Sequence, residues 1–169
     1  MKNHKSSDIV VFLCFFWAVI GCRSPLPEAI NNSHIYSTWE GMEFDKAASI
    51  WLIKRFIDKD AEFKFFPSGS IIKEGTAFDT PDAIWNRTHN ASTYETLLRE
   101  MKLASDPALA QIGVIVNDLE INNWAEKKFP RSLEMNLRLQ KMLEETENED
   151  AAIHAILTFF DNLYEELKP

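Results

Sequence analysis

The chain has 169 residues, 46% hydrophobic and 12% aromatic, with a formal net charge of −8 at neutral pH. That length and apolar content exclude a disordered tail and suit one domain with its own core. The negative charge repels phosphate backbones and argues against general nucleic-acid binding.

The N-terminus reads as a targeting segment. Lys2 and Lys5 precede a nearly all-apolar, uncharged run over residues 9–20. As a helix this run would be about 18 Å long, short of the ~30 Å hydrocarbon core of a bilayer. Phe12, Phe15, Phe16 and Trp17 leave it no polar face, so a secretory signal fits better than a packed helix. Val19-Ile20-Gly21-Cys22 resembles the lipobox of bacterial lipoprotein precursors, which implies removal of residues 1–21 and a lipid on Cys22. Removal would leave sixteen Lys and Arg against twenty-five Asp and Glu, a net charge of −9. Cys14 leaves with the signal, so no thiol remains for a disulfide, a thiolate metal site or a cysteine nucleophile. The expected location is the cell envelope, lipid-anchored and periplasm-facing. Arg23, where an aspartate would signal inner-membrane retention in some bacteria, favours the outer membrane. Residues 22–38, with Pro25, Pro27, Asn31, Asn32 and Ser33, read as a tether, and residues 39–169 as the folded domain.

Residues 44–58 read as a helix, with Ala48, Trp51, Leu52, Arg55 and Phe56 on one face. Residues 61–66 are short, apolar and aromatic and stop at Pro67, a strand signal; residues 76–78 suggest a second short strand. Ser92-Thr93-Tyr94-Glu95 fits a capping box ahead of Leu97, Leu98 and Met101. Asp106-Pro107 starts the next helix, with Leu109, Ile112, Val116 and Leu119 as its stripe. Ser132 opens another, with Leu133, Leu137, Gln140 and Leu143 in line. Asp150 opens the last, with Ile153, Leu157, Phe160, Tyr164 and Leu167. These stripes are expected to be core. The fold class is α+β, predominantly helical: a small β element and about five helices in one domain.

Residues 45–58, Asp-Lys-Ala-Ala-Ser-Ile-Trp-Leu-Ile-Lys-Arg-Phe-Ile-Asp, resemble the signature of the chromate-resistance family. The likeness is to the C-terminal domain of its ChrB-type proteins and to its exported members. Ala61-Glu62-Phe63, Thr93-Tyr94-Glu95-Thr96-Leu97-Leu98, Asp106-Pro107-Ala108-Leu109, Ile115-Val116-Asn117-Asp118-Leu119-Glu120 and Phe160-Asp161-Asn162-Leu163-Tyr164 follow in the family's order. The family's two frequent cysteines fall at Ser49 and, approximately, Ser92. Its helix-opening arginine falls at Lys46, and the histidine of its His-Asp pair at Asn117. Each change removes a soft or strongly basic group. The resemblance implies a link to chromate resistance or chromate sensing.

Two ligand sets follow from residue chemistry. Asp118 and Glu120, two apart near a helix end, would share a hard divalent metal ion with His89 and Glu95, since oxygen-rich ligands favour manganese, magnesium, calcium or iron. Alternatively, Asp45 and Lys46 at a helix start, with Arg87 and Arg55, would frame a site for a divalent oxyanion. Aspartate at that position is also an ordinary helix cap. The expected partners are the membrane, through Cys22, and a small inorganic ion, with no nucleic acid. The function read from this is a tethered module that binds or senses an oxyanion or metal ion. The alternatives are a metal-dependent redox enzyme and a degenerate interaction lipoprotein.

Overall fold

The structure is a computed structural model that describes residues 34–122 and 124–169. The signal, Cys22 and most of the tether lie outside the described residues. Among the described residues no helix is long and apolar enough to cross a membrane.

The architecture is α+β and mainly helical, as expected. Strand β1 (Ile35–Trp39) is the centre of a three-stranded parallel sheet, flanked by β2 (Glu62–Phe66) and β3 (Thr76–Ala77) in the order β2-β1-β3. β1 begins inside the stretch read as tether. Its Ile, Tyr, Thr and Trp are good strand formers, but Tyr36, Ser37 and Thr38 are all buried, so no alternation of polar and apolar residues marks it in the sequence.

Parallel neighbours need crossovers. The first is α1 (Phe44–Leu52), continued by a π-helical turn over Ile53–Ile57. The sequence suggests one uniform helix to residue 58, but the last turn widens, with the Asp58 amide donating to the Ile53 carbonyl at 2.8 Å. Lys54 and Arg55 diverge from this turn. Lys54 donates to the Ala61 carbonyl at 2.8 Å, and Arg55 forks onto Asp161 at 3.0 and 2.6 Å. The second crossover, residues 67–75, passes over β1, where the Trp39 indole donates to the Ser70 carbonyl at 2.8 Å.

Four further helices complete the domain: α2 (Thr93–Glu100), α3 (Pro107–Glu120), α4 (Ser132–Glu144) and α5 (Glu149–Leu167). The capping box at Ser92 forms in full, and Asp106 caps α3 by accepting from the Ala108 and Leu109 amides. The last helix is capped by Asn148 rather than opened by Asp150. α1 is buried along its whole length. Trp51 packs on Phe160 and Tyr164, each ring centroid 5.7 Å away, and donates its indole N–H to Asp161 at 2.8 Å.

Two stripes differ from expectation. On α4 the buried positions are Met135 and Leu139, whereas Leu133 and Leu137 are 58% and 65% exposed. On α5 Ile156, Phe159, Phe160 and Leu163 are buried, while Ile153 and Leu157 are half-buried. α4 is rotated from the assigned face, because large apolar residues occur on more than one side and packing against α3 and the aromatic core selects among them. On α5 the assigned stripe does face the core, with Phe160 buried and Leu157, Tyr164 and Leu167 packed against it, and the buried face widens to Ile156, Phe159 and Leu163.

Candidate functional site

The site grows from the first turn of α1. Asp45, fully buried, does not cap its own helix, whose cap position is Glu43 with no side-chain bond. Its carboxylate crosses to α2 and accepts the Thr93 amide at 2.8 Å and the Tyr94 amide at 2.9 Å. The expectation that Asp45 is a local cap is therefore corrected: it caps a different helix, because its position in the first turn of α1 points inward. Glu120, at the end of α3, lies near the start of α1, where the Phe44 amide pulls its carboxyl down against burial. Two helix starts, each a natural anion site, thus face the protein's own carboxylates.

Asp79 follows β3 in the left-handed region, φ 52°, which aspartate tolerates better than most residues. Its amide donates to the Trp85 carbonyl at 2.8 Å, and its carboxylate accepts the Thr93 hydroxyl at 2.7 Å. Lys46, 5% exposed, donates to the carbonyls of Trp39 and Gly41, both at 2.7 Å, and lies 3.8 Å from Asp79. Arg87 is central. Its guanidinium meets Glu43 at 2.9 Å, Glu120 at 3.3 Å and Asp45 at 3.4 Å.

Four of these groups, Glu43, Lys46, Asp79 and Arg87, line a cavity of about 410 Å³ together with Trp39, Glu40, Ser68, Thr80, Pro81 and Asn86; Asp45 and Glu120 reach Arg87 without lining it. Burial, reinforced by the charge of Asp79, pushes Asp45 up to about 7, against the pull of the two amides and Arg87. Burial also raises Asp79 and Glu120 and lowers Lys46. For Arg87 burial works against the charge, but Asp45, Glu120, Glu43 and Asp79 outweigh it and raise the guanidinium. The arrangement can hold or exchange a charged ligand. Among the described residues, no thiol or histidine lines the cavity.

Of the expected oxyanion set, Asp45, Lys46 and Arg87 come together here, while Arg55 is committed to Asp161. The expected metal set disperses. His89 is exposed. Glu95 accepts the Ser92 amide and the Asn117 side chain, both at 2.9 Å, inside its capping box. Asp118 accepts from the Lys128 and Phe129 amides and the Ser132 hydroxyl at 2.8–3.1 Å. Glu120 joins Arg87. Among the described residues, three potential ligand groups lie within 4.8 Å of one another at His34, Asp58 and Asp60, not at these four. Sequence reasoning passed over Glu43 and Asp79. Asp79-Thr80-Pro81 carried a signal, but only of a chain turn. Ser49, at the family's cysteine position, is fully buried with its hydroxyl unpartnered among the described residues.

Fold and site together define a small α+β domain with a charged, ligand-sized cavity at a meeting of helix termini. A sequence profile described as ChrB, C-terminal domain, matches residues 36–167, so the chain belongs to that chromate-resistance family. Protein ChrB of Cupriavidus metallidurans is 26% identical over 132 residues, covering 76% of this chain and 39% of the relative. The chain thus spans about two fifths of the length of that curated relative. No solved structure matches it.

Proposed function

We propose that this chain serves chromate resistance as an ion-binding module, that its site is the Arg87 cavity, and that the ion is a hard cation. The observation that carries this reading is the three carboxylates, Glu43, Asp45 and Glu120, gathered around one guanidinium. The cavity wall itself carries Glu40, Glu43 and Asp79 against Lys46 and Arg87, and Asp45 and Glu120 meet Arg87 without lining it. Acid therefore exceeds base, and of the helix starts that would attract an oxyanion, that of α2 already holds the Asp45 carboxylate and that of α1 faces Glu120. Arg87 stands where a cation would stand. Its side chain is 33% exposed, so it has room to turn outward and yield its place to an ion held by carboxylate and hydroxyl oxygens. The chromate link does not require an oxyanion ligand, since chromium is itself a hard, oxygen-seeking cation once chromate is reduced.

The test is calorimetric titration of the purified chain with manganese, magnesium, chromate and sulfate, beside metal analysis. Manganese or magnesium heat without chromate heat is the expected result. Chromate heat without cation heat would transfer the cavity to the oxyanion reading, for which Lys46 and Arg87 on one wall are the supporting feature.

We further propose that the domain works outside the cytoplasm, tethered by lipid on Cys22 at the periplasmic face, with the outer membrane favoured. The support is the basic start, short apolar run and Val19-Ile20-Gly21-Cys22 sequence. Metabolic labelling with a tagged fatty acid should mark the wild-type chain and not Cys22→Ser; equal labelling would overturn it.

A further inference from the structure

The Arg87 cavity has a neighbour. A second cavity, of about 280 Å³, shares Trp39 and Thr80 with it and adds Ile71, Ile72, Ala77 and Asp82 to its own walls. Trp39 is the last residue of β1 and Ala77 the last of β3. The chain leaves β1 for β2 on one side and returns to β3 on the other. The two chambers therefore lie beyond the carboxyl ends of parallel strands, where the strand order reverses, and that is where open parallel sheets place their ligands. The first chamber alone, at about 410 Å³, has far more room than one ion needs, since a water molecule takes about 30 Å³ of the liquid. The pair reaches the size of small-molecule sites, about 300–1,000 Å³.

The chambers differ in chemistry. The first carries Glu40, Glu43 and Asp79 against Lys46 and Arg87. The second is lined by one charged side chain, Asp82, and its isoleucines and alanine are apolar. Both cations of the first are engaged, Lys46 by two backbone carbonyls and Arg87 by carboxylates. Lys73 and Glu74, on the loop that carries the isoleucines, have opposite signs and line neither chamber. Trp39, its indole N–H fixed on the Ser70 carbonyl at 2.8 Å, is an aromatic wall common to both. Carboxylates, an indole and an apolar recess in one cleft suit an ammonium group on an apolar stem. The acid excess repels carboxylate and phosphate head groups.

We propose that the joined cleft binds a primary ammonium ion, with its head among the acids of the first chamber and its apolar stem past Trp39 in the second. Competition between this head and a metal ion rests on the cation reading of the Arg87 cavity; the stem chamber does not. A free alkylamine and the lysine side chain of a partner protein present the same chemistry.

The test is calorimetric titration of the full chain with methyl-, butyl- and hexylammonium and with lysine blocked at both its α-amino and carboxyl groups, each with and without manganese. Affinity should rise about fourfold per methylene from methyl- to butylammonium, as one CH₂ after another leaves water. Ala77→Leu, which fills the second chamber, and Ile72→Asn, which makes it polar, should each weaken hexylammonium about tenfold. Manganese and methylammonium affinities should not change in either variant, with circular dichroism to verify folding. Blocked lysine binding as tightly as butylammonium would support the site and assign it to a protein lysine; weaker binding would support it and assign a free amine. Affinity independent of stem length, or hexylammonium unaffected in both folded variants, would overturn the proposal. Manganese binding without any ammonium binding would overturn it and leave the ion reading standing, whereas stem-dependent ammonium binding without manganese binding would support it and remove the metal.

Discussion

Asp45 and Tyr94 belong to different helices, yet the carboxylate of one accepts the amide of the other at 2.9 Å, with the Thr93 amide beside it at 2.8 Å. The start of α2 is thereby hung from α1. Asp45→Ala would strand two buried amides and leave a void, and the expected loss is about 3 kcal/mol. Urea unfolding measures it. Asp45→Asn, which keeps one acceptor, should lose less.

The same residue sets a pH dependence. Asp45 is pushed up to about 7 in the fold, chiefly by burial and then by Asp79, against about 3.9 for a free aspartate. The folded state therefore binds this proton more tightly than the unfolded chain. Its contribution is complete below about pH 4 and is lost as pH rises to about 7, with a slope near 1.4 kcal/mol per pH unit. Asp58, Asp106 and Asp118 are lowered instead, so their contributions fall away on the acid side. Unfolding free energy followed from about pH 5 to 7 should decline for the wild type and decline less for Asp45→Asn. Equal slopes would show that Asp45 does not carry the proton.

Much of the fold is legible in the sequence because local chemistry decides it. Ser92 and Asp106 announce their helices through capping side chains, and both bonds form as the sequence suggests. The central strand is not legible, since burial on every side erases alternation. Nor is the rotation of α4, where four leucines and two methionines leave the buried face to be chosen by neighbours. The cavity is half legible. Lys46 and Arg87 attract notice as cations, and Asp45 as a helix-start acid. Asp79 is hidden because its role depends on a left-handed backbone and a hydroxyl fourteen residues away.

Gly75 is the close approach that lets the second crossover return to β1. Its φ is +74°, and a Cβ there would lie 2.6 Å from the Ile35 carbonyl oxygen. Gly75→Ala combines backbone strain with overlap against backbone that cannot move aside, and should cost at least about 2 kcal/mol. Thermal unfolding measures the loss. Gly69→Ala is the comparison: its φ is +83° but nothing lies within 4 Å, so its cost should be about 1 kcal/mol.

Asp118 is structural in this account. Burial works against its charge, but the amides of Phe129 and Lys128 and the Ser132 hydroxyl outweigh it and hold the carboxyl below its usual range. Asp118→Ala should lose about 2–3 kcal/mol by freeing the turn into α4, with ion binding unchanged at temperatures where the variant is folded. Loss of ion affinity in a folded Asp118→Ala would restore the ligand set read from the sequence.

The central claim is that a cation exchanges with the Arg87 guanidinium among Glu43, Asp45 and Glu120. Its most direct test is manganese titration of Arg87→Ala and Arg87→Gln beside the wild type, with circular dichroism to verify folding. Removing the competing charge should tighten manganese binding by about tenfold or more. Weaker manganese binding in both folded variants, or chromate binding in the wild type that they lose, would contradict it.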